Sequence, residues 1–163
     1  ALEEEGLLIE DTREDLIRNT LTLIASSEKM NDITLANLSE ADSIAIGEPE
    51  SVPAGQYAFD ALTSLGLWDS LESKVIYAKD VRAVLEYVDS GNVDCGVVYL
   101  TDAVLLKTGK VVENFPADSH KPIVYPAAAL NEGSNREMAV AFLEFLKTVE
   151  AKAILESYSF DVI

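Results

Sequence analysis

Two backbone N–H groups and one phenol have the type and spacing to hold an anion without a charged side chain. The first N–H lies in Ile44-Ala45-Ile46-Gly47-Glu48-Pro49-Glu50-Ser51-Val52-Pro53-Ala54-Gly55-Gln56-Tyr57-Ala58. Here a short apolar strand runs into a turn, and the turn opens a helix at Pro53, Ala54 and Gly55. Proline has no N–H and a fixed φ, so it suits the first helical position. Ser51 is placed to cap that helix from just upstream, and small Ala54 and Gly55 leave the backbone open to a visitor. The second N–H belongs to Val81, first residue of a helix that Asp80 caps. The phenol is Tyr99, at the end of an apolar strand. A helix N-terminus carries unpaired donors and about half a positive charge, which together make an anion seat.

The first seat contains no Lys or Arg, in a chain whose formal charge is −17. Two unit charges at 4 Å interact by about 4 kcal/mol at an effective dielectric near 20. A half-charge helix end then contributes roughly 2 kcal/mol per unit of ligand charge before desolvation. The remote acidic surface is screened over about 8 Å at physiological salt and does not forbid this. Taken singly, each residue has a plainer role. Every helix has an N-terminus, Val81 fills a first turn, Tyr99 is a core-edge aromatic and Asp80 is a cap. Their arrival at one rim sets them apart, although the pattern alone still favours the plainer roles.

That rim follows from the elements. Ser43–Gly47, Lys74–Ala78 and Asp94–Tyr99 read as strands, and Pro53–Leu65 and Val81–Ser90 as helices. Such alternation implies parallel βαβ units, in which ligands bind beyond the carboxyl ends of the strands. Upstream, residues 1–6 read as a helix tail ended by Gly6, Thr12–Arg18 as a helical turn and Leu21–Ala25 as a strand. Lys110–Phe115 reads as a further strand. Downstream, Pro122–Leu130 is extended, Ser134 is placed to cap a helix over Asn135–Lys147, and a last helix covers Glu150–Tyr158.

Composition narrows the function classes. The 163 residues are 48% hydrophobic, enough for a core, and no apolar run reaches the length of a membrane span. Twelve basic against twenty-nine acidic residues disfavour nucleic acid and anionic lipid. Glu3-Glu4-Glu5 reads as a solvated face. Cys95 is alone, so neither a disulfide framework nor a cysteine metal site is expected. His120, the single histidine, reads as structural, and Trp68 as a packing residue after a helix stop. A chain starting at Ala1 rather than Met is expected of a processed or cut product.

Four motifs carry a resemblance. Ile44 to Ala58, Ala78-Lys79-Asp80-Val81-Arg82, Gly91-Asn92-Val93-Asp94-Cys95-Gly96-Val97-Val98-Tyr99 and Phe115-Pro116-Ala117-Asp118-Ser119-His120 resemble the substrate-binding proteins of molybdate ABC transporters. The likeness runs from about Leu2 to the closing Tyr158-Ser159-Phe160. It implies an oxyanion held without charged side chains, with backbone N–H groups from Ala54 and Val81 and the hydroxyl of Tyr99. It implies an α/β fold of the type II periplasmic binding-protein kind, with one complete three-layer lobe and part of a second. The corresponding divisions are 1–25 as partial first lobe and crossover, 26–116 as the complete lobe, and 117–163 as the return to the first lobe.

The resemblance also implies an extracytoplasmic protein, periplasmic or lipid-anchored, that delivers molybdate or tungstate to a membrane permease. No cofactor and no free metal cation are expected. The family's first lobe begins with a segment bearing two ligand-binding serines, which has no counterpart here. Weak ligand binding, and self-association through an apolar face of residues 122–163, are therefore expected.

Two other classes compete. Asp80, Asp94 and Asp102 suggest a magnesium-dependent phosphoryl-transfer enzyme, but Asp94 opens its strand at the opposite edge, and Asp80 and Asp102 serve as caps. There is no nucleophile–base pair or glycine-rich phosphate loop. An effector-binding module of a transcription regulator resembles the same fold, but it requires a helix-turn-helix and a basic surface. Sulfate is the nearest alternative ligand, because it too needs only donors.

Overall fold

The computed structural model describes residues 2–29 and 31–163. The chain divides into two compact units, Thr20–Pro122 and the pair of segments Ala1–Asn19 and Ile123–Ile163.

The larger unit is built on a five-stranded sheet of order β4-β3-β5-β2-β6. Its strands are β2 (Leu21–Ala25), β3 (Ile44–Gly47), β4 (Val75–Ala78), β5 (Cys95–Tyr99) and β6 (Lys110–Asn114). Strand β3 pairs in parallel with β4 and β5, whereas β2 runs antiparallel to both β5 and β6. The expected parallel units are therefore present, and one reversed strand is added. Every residue of β2 is fully buried, and Thr22 there donates its hydroxyl to the Glu113 carbonyl at 3.1 Å. Buried polar groups on a central strand need such a partner.

Helices α1 (Pro53–Ser64), α2 (Trp68–Leu71), α3 (Val81–Asp89) and α4 (Leu100–Ala103) complete this unit, with a 3₁₀ turn at Leu35–Glu40. The crossover from β3 through α1 runs outward to β4, and the next, through α3, runs back past β3 to β5. Right-handed crossovers in opposite directions place their helices on opposite faces. Accordingly α3 buries Ala83, Val84, Leu85 and Val88 against Ala45, Val98 and Ile24, and Ala103 of α4 joins that cluster. The other face takes α1 through Ala58, Ala61 and Leu62, each 0% exposed. Gly96 permits the α3 packing, since a Cβ there would meet Val84 and Val88.

Both long helices stop in the same way. Gly91, at φ +69°, donates to the Val88 carbonyl while Asn92 donates to Tyr87. Gly66, at φ +70°, and Leu67 repeat this at the end of α1 through Thr63 and Leu62. The left-handed turn lets two trailing N–H groups satisfy the last carbonyls. Trp68 then packs edge-on to Phe59, ring centroids 4.6 Å apart.

The smaller unit holds an antiparallel sheet of order β7-β1-β8, from β7 (Ile123–Ala127), β1 (Glu14–Asn19) and β8 (Asp161–Val162). Here the structure corrects the sequence: Thr12–Arg18 is not a helical turn. Glu, Leu and Arg favour helix locally, but β1 pairs with β7, more than one hundred residues away, and that pairing overrides propensity. A bulge at Leu16 brings Pro126 opposite Asp15, a position that tolerates proline's missing donor. Residues 2–6 form a turn and not the expected helix tail; Gly6, at φ +66°, closes it, with Leu7 donating to the Leu2 carbonyl.

Helices α5 (Arg136–Leu146) and α6 (Val149–Ser157) follow. Asn135, not Ser134, occupies the α5 cap position, and its side chain accepts no hydrogen bond. The cap of α6 is Thr148, which accepts the Ala151 N–H.

Asp89 is the clearest electrostatic latch. Its carboxylate accepts the N–H groups of Lys107, Thr108 and Gly109 at 3.0 to 3.1 Å and the Thr108 hydroxyl, tying the end of α3 to the entry of β6. Burial alone would raise its pKa, but the hydrogen bonds from Thr108, Gly109 and Lys107 outweigh it and the net shift is downward. A depressed folded-state pKa contributes stability above the unfolded carboxylate range and loses it as pH falls through the folded value. Asp89→Asn is expected to lower unfolding free energy by about 1–2 kcal/mol at neutral pH. In urea denaturation this deficit shrinks once pH falls below the carboxylate range. A deficit independent of pH would contradict the latch.

Candidate functional site

The end of β3 and the start of α1 are held unusually close. A Cβ on Gly55 would land on the Gly47 carbonyl oxygen, and one on Gly47 would meet the Val52 side chain. Only glycine at both positions lets the helix begin directly over the strand end. Ser51 is not the cap. The cap position is Val52, extended at φ −116° and ψ 112°, with no side-chain hydrogen bond. Pro53 explains this, because it drives the residue before it into an extended conformation. Ser51 is exposed and donates its own N–H to the Glu48 carbonyl.

The first donors of α1 then sort themselves. Pro53 has none, and Gly55 donates to the Val52 carbonyl at 2.9 Å. Ala54 is 1% exposed, and its N–H has no acceptor among the described residues. A buried, unpaired N–H costs free energy comparable to a lost hydrogen bond and calls for an explanation.

The neighbouring strand ends are level with it. Gly47 pairs with Ala78, and the Glu48 N–H donates to the Ala78 carbonyl at 2.9 Å. Two residues on, Asp80 caps α3 by accepting the Ala83 N–H at 2.8 Å. The Val81 N–H, at the first helical position, has no acceptor among the described residues. On the other side β5 pairs Ala45 with Gly96, a register that brings Tyr99 level with Glu48. Tyr99 is half-buried at the cap position of α4. Since α1 leaves β3 on one face while α4 leaves β5 on the other, the gap between these two strand ends is the topological switch point of the sheet.

The aromatic surroundings of Tyr99 were not legible in the sequence. Tyr57 of α1 stands edge-on to Tyr99 and to His120. His120 is less isolated than its solitary occurrence suggests, because its Nδ1 lies 2.7 Å from the Lys121 carbonyl. A groove of about 520 Å³ lined by Pro53, Gln56, Tyr57, Asp60 and Lys121 opens beside the helix start.

The acidic residues do not assemble a metal centre. Asp94 precedes β5, at the edge away from Tyr99, and accepts the Asp42 N–H. Asp102 lies on α4, where burial raises its pKa and the Arg82 charge opposes the rise. No group of three metal-ligating side chains occurs among the described residues. Cys95 is fully buried, and burial with the nearby Asp94 charge pushes its thiol up to about 12. A cavity of about 760 Å³ in the smaller unit is lined by Arg13 and Arg136 among others. Arg13 faces Glu3 and Asp15, and Arg136 donates to the neutral Asn131 side chain.

The family model for bacterial extracellular solute-binding proteins matches residues 1–161. The chain belongs to this family. Among its relatives, the putative ABC transporter substrate-binding lipoprotein YvgL of Bacillus subtilis (strain 168) is 42% identical over 160 residues, 98% of this chain and 62% of that protein. The molybdate-binding protein ModA of Haemophilus influenzae is 38% identical over 165 residues, covering 98% and 65% respectively. The solved substrate-binding domain of a putative molybdenum ABC transporter from Clostridium difficile superposes with a TM-score of 0.90 at 41% identity, over 99% of this chain and 71% of that one.

The chain therefore spans less than two thirds of the length of these two curated relatives. Its fold is the type II periplasmic binding-protein α/β fold. No helix among its described residues is long and apolar enough to cross a membrane.

Proposed function

We propose that this chain carries the oxyanion seat of a molybdate or tungstate importer's solute-binding protein. Ala54 and Val81 donate their backbone N–H groups, Tyr99 donates its hydroxyl, and Asp80 holds the α3 terminus in place. The observation that carries this reading is the buried Ala54 N–H without an acceptor, beside a second open helix terminus on the adjacent strand. The likeness to ModA and to the molybdenum-transporter domain supports the ligand class.

The donor set suits a fully deprotonated dianion. Phosphate keeps a proton near neutral pH and is best matched by a carboxylate acceptor, which the three positions do not offer. Sulfate needs donors only and is the second reading. The role is capture without catalysis, outside the cytoplasm in a periplasm or on a lipid anchor, followed by delivery to a membrane permease.

The two serine donors implied by the resemblance have no counterpart in these 163 residues, so the seat alone is proposed to bind more weakly than micromolar. A second proposal concerns partners. Met138, Phe142 and Phe145 on α5 and Val149 on α6 are all exposed, Val149 by 86%. Contiguous exposed apolar surface favours association, and we propose that this face joins a second copy.

Val81→Pro tests the seat cleanly. Proline suits the first helical position and Asp80 is already extended, so melting temperature should stay near wild type while one donor is lost. Hydrogen bonds to charged groups are worth about 1.5–3 kcal/mol, so molybdate affinity by calorimetry should fall by roughly ten- to a hundredfold. Tyr99→Phe should fall by a similar factor. Unchanged affinity in both variants, or sub-micromolar binding by this chain, would contradict the respective claims. Light scattering should show mass rising with concentration, and a monomer throughout would overturn the association.

A further inference from the structure

We infer that Tyr57 is a positioning residue for the Tyr99 hydroxyl and thereby sets which size of oxyanion the seat prefers. The inference rests on the oxyanion reading above. A backbone N–H on a helix is fixed by the helix, but a phenol is aimed by two side-chain torsions, and its ring must be held for the donor to have a defined place.

Tyr57 contributes to that hold. It lies on α1 one turn beyond Ala54, so its backbone is rigid with one of the proposed donors. Its ring meets the Tyr99 ring at a centroid distance of 6.4 Å and an interplanar angle of 60°. On its other side it meets His120 at 5.7 Å and 64°. Both are edge-to-face geometries, in which the positive edge of one ring meets the negative face of the next. His120 is fixed in turn. A carbonyl can only accept, so at 2.7 Å from the Lys121 oxygen Nδ1 carries the proton and donates it. The row Tyr99–Tyr57–His120 thus ties the end of β5 to the first turns of α1 and to the 115–122 loop.

The consequence is dimensional. With Tyr57 in place, the separation of the Ala54 N–H and the Tyr99 hydroxyl is set by packing rather than by the ligand. Molybdate and tungstate have longer bonds to oxygen than sulfate. A seat of fixed span discriminates between them, and a seat with a loose phenol contracts onto either.

The test measures dissociation constants for molybdate and sulfate by amide chemical-shift titration in wild type, Tyr57→Phe, Tyr57→Leu, Tyr99→Phe and the Tyr57→Leu/Tyr99→Phe double variant. Tyr57→Leu should weaken molybdate about tenfold and lower the molybdate-to-sulfate preference, while Tyr57→Phe, which keeps the ring, restores both. In the Tyr99→Phe background, Tyr57→Leu should add less than about twofold, because it acts through a hydroxyl already gone. If the leucine variant does not fold, Tyr57→Met is read in the same way. Wild-type affinity in Tyr57→Leu, or losses that multiply independently of Tyr99, would overturn the positioning role alone. Wild-type amides of Ala54 and Val81 that ignore molybdate would overturn the oxyanion reading itself.

Discussion

The parallel pairing of β3 with both β4 and β5 is the constraint on which the rest of the structure depends. It brings three strand ends to one edge, so the backbone must leave all three in the same region of space. Gly47 and Gly55 then allow α1 to start in contact with its strand. Pro53 removes one donor and forces Val52 extended, leaving the Ala54 N–H as the first donor of the helix, buried and without an acceptor among the described residues. The opposite routes of α1 and α4 open the crevice between β3 and β5. Ala54 and Tyr99 stand on its two sides for reasons of topology alone.

The proposed seat would reconcile an acidic protein with an anionic ligand. Guanidinium and ammonium groups would bind any anion and would attract the protein's own carboxylates, as Arg13 is taken up by Glu3 and Asp15. The backbone N–H groups of Ala54 and Val81 are fixed by their helices and do not titrate near neutral pH. Their field is short-ranged and directional, so it favours a small, fully ionised ligand that needs only donors. The residues that shape the seat are accordingly small or apolar, which is why charge patterning alone does not reveal it.

Much of this architecture was legible in the chain. The strand–helix alternation from Ile44 to Tyr99 and the Asp80 cap are local signals, and the three strand ends could be named from them. What was hidden is non-local. The direction of β2 depends on partners seventy or more residues away, and β1 becomes a strand only because β7 supplies its edge. The cap at Val52 rather than Ser51 is a steric effect of the following proline and not a hydrogen-bond preference. Tyr57 fits the apolar spacing of α1, and nothing in that spacing shows that its neighbours are Tyr99 and His120.

The central claim is that an oxyanion is held by the backbone at Ala54 and Val81 and not by a cation elsewhere. A titration of the isotopically labelled chain with molybdate, followed by amide resonances, tests it most directly. The account predicts that the Ala54 and Val81 amides move together, at one midpoint, toward the shifts of strongly hydrogen-bonded N–H groups. Saturating changes centred instead on Arg13, Asn131 and Arg136 would contradict it.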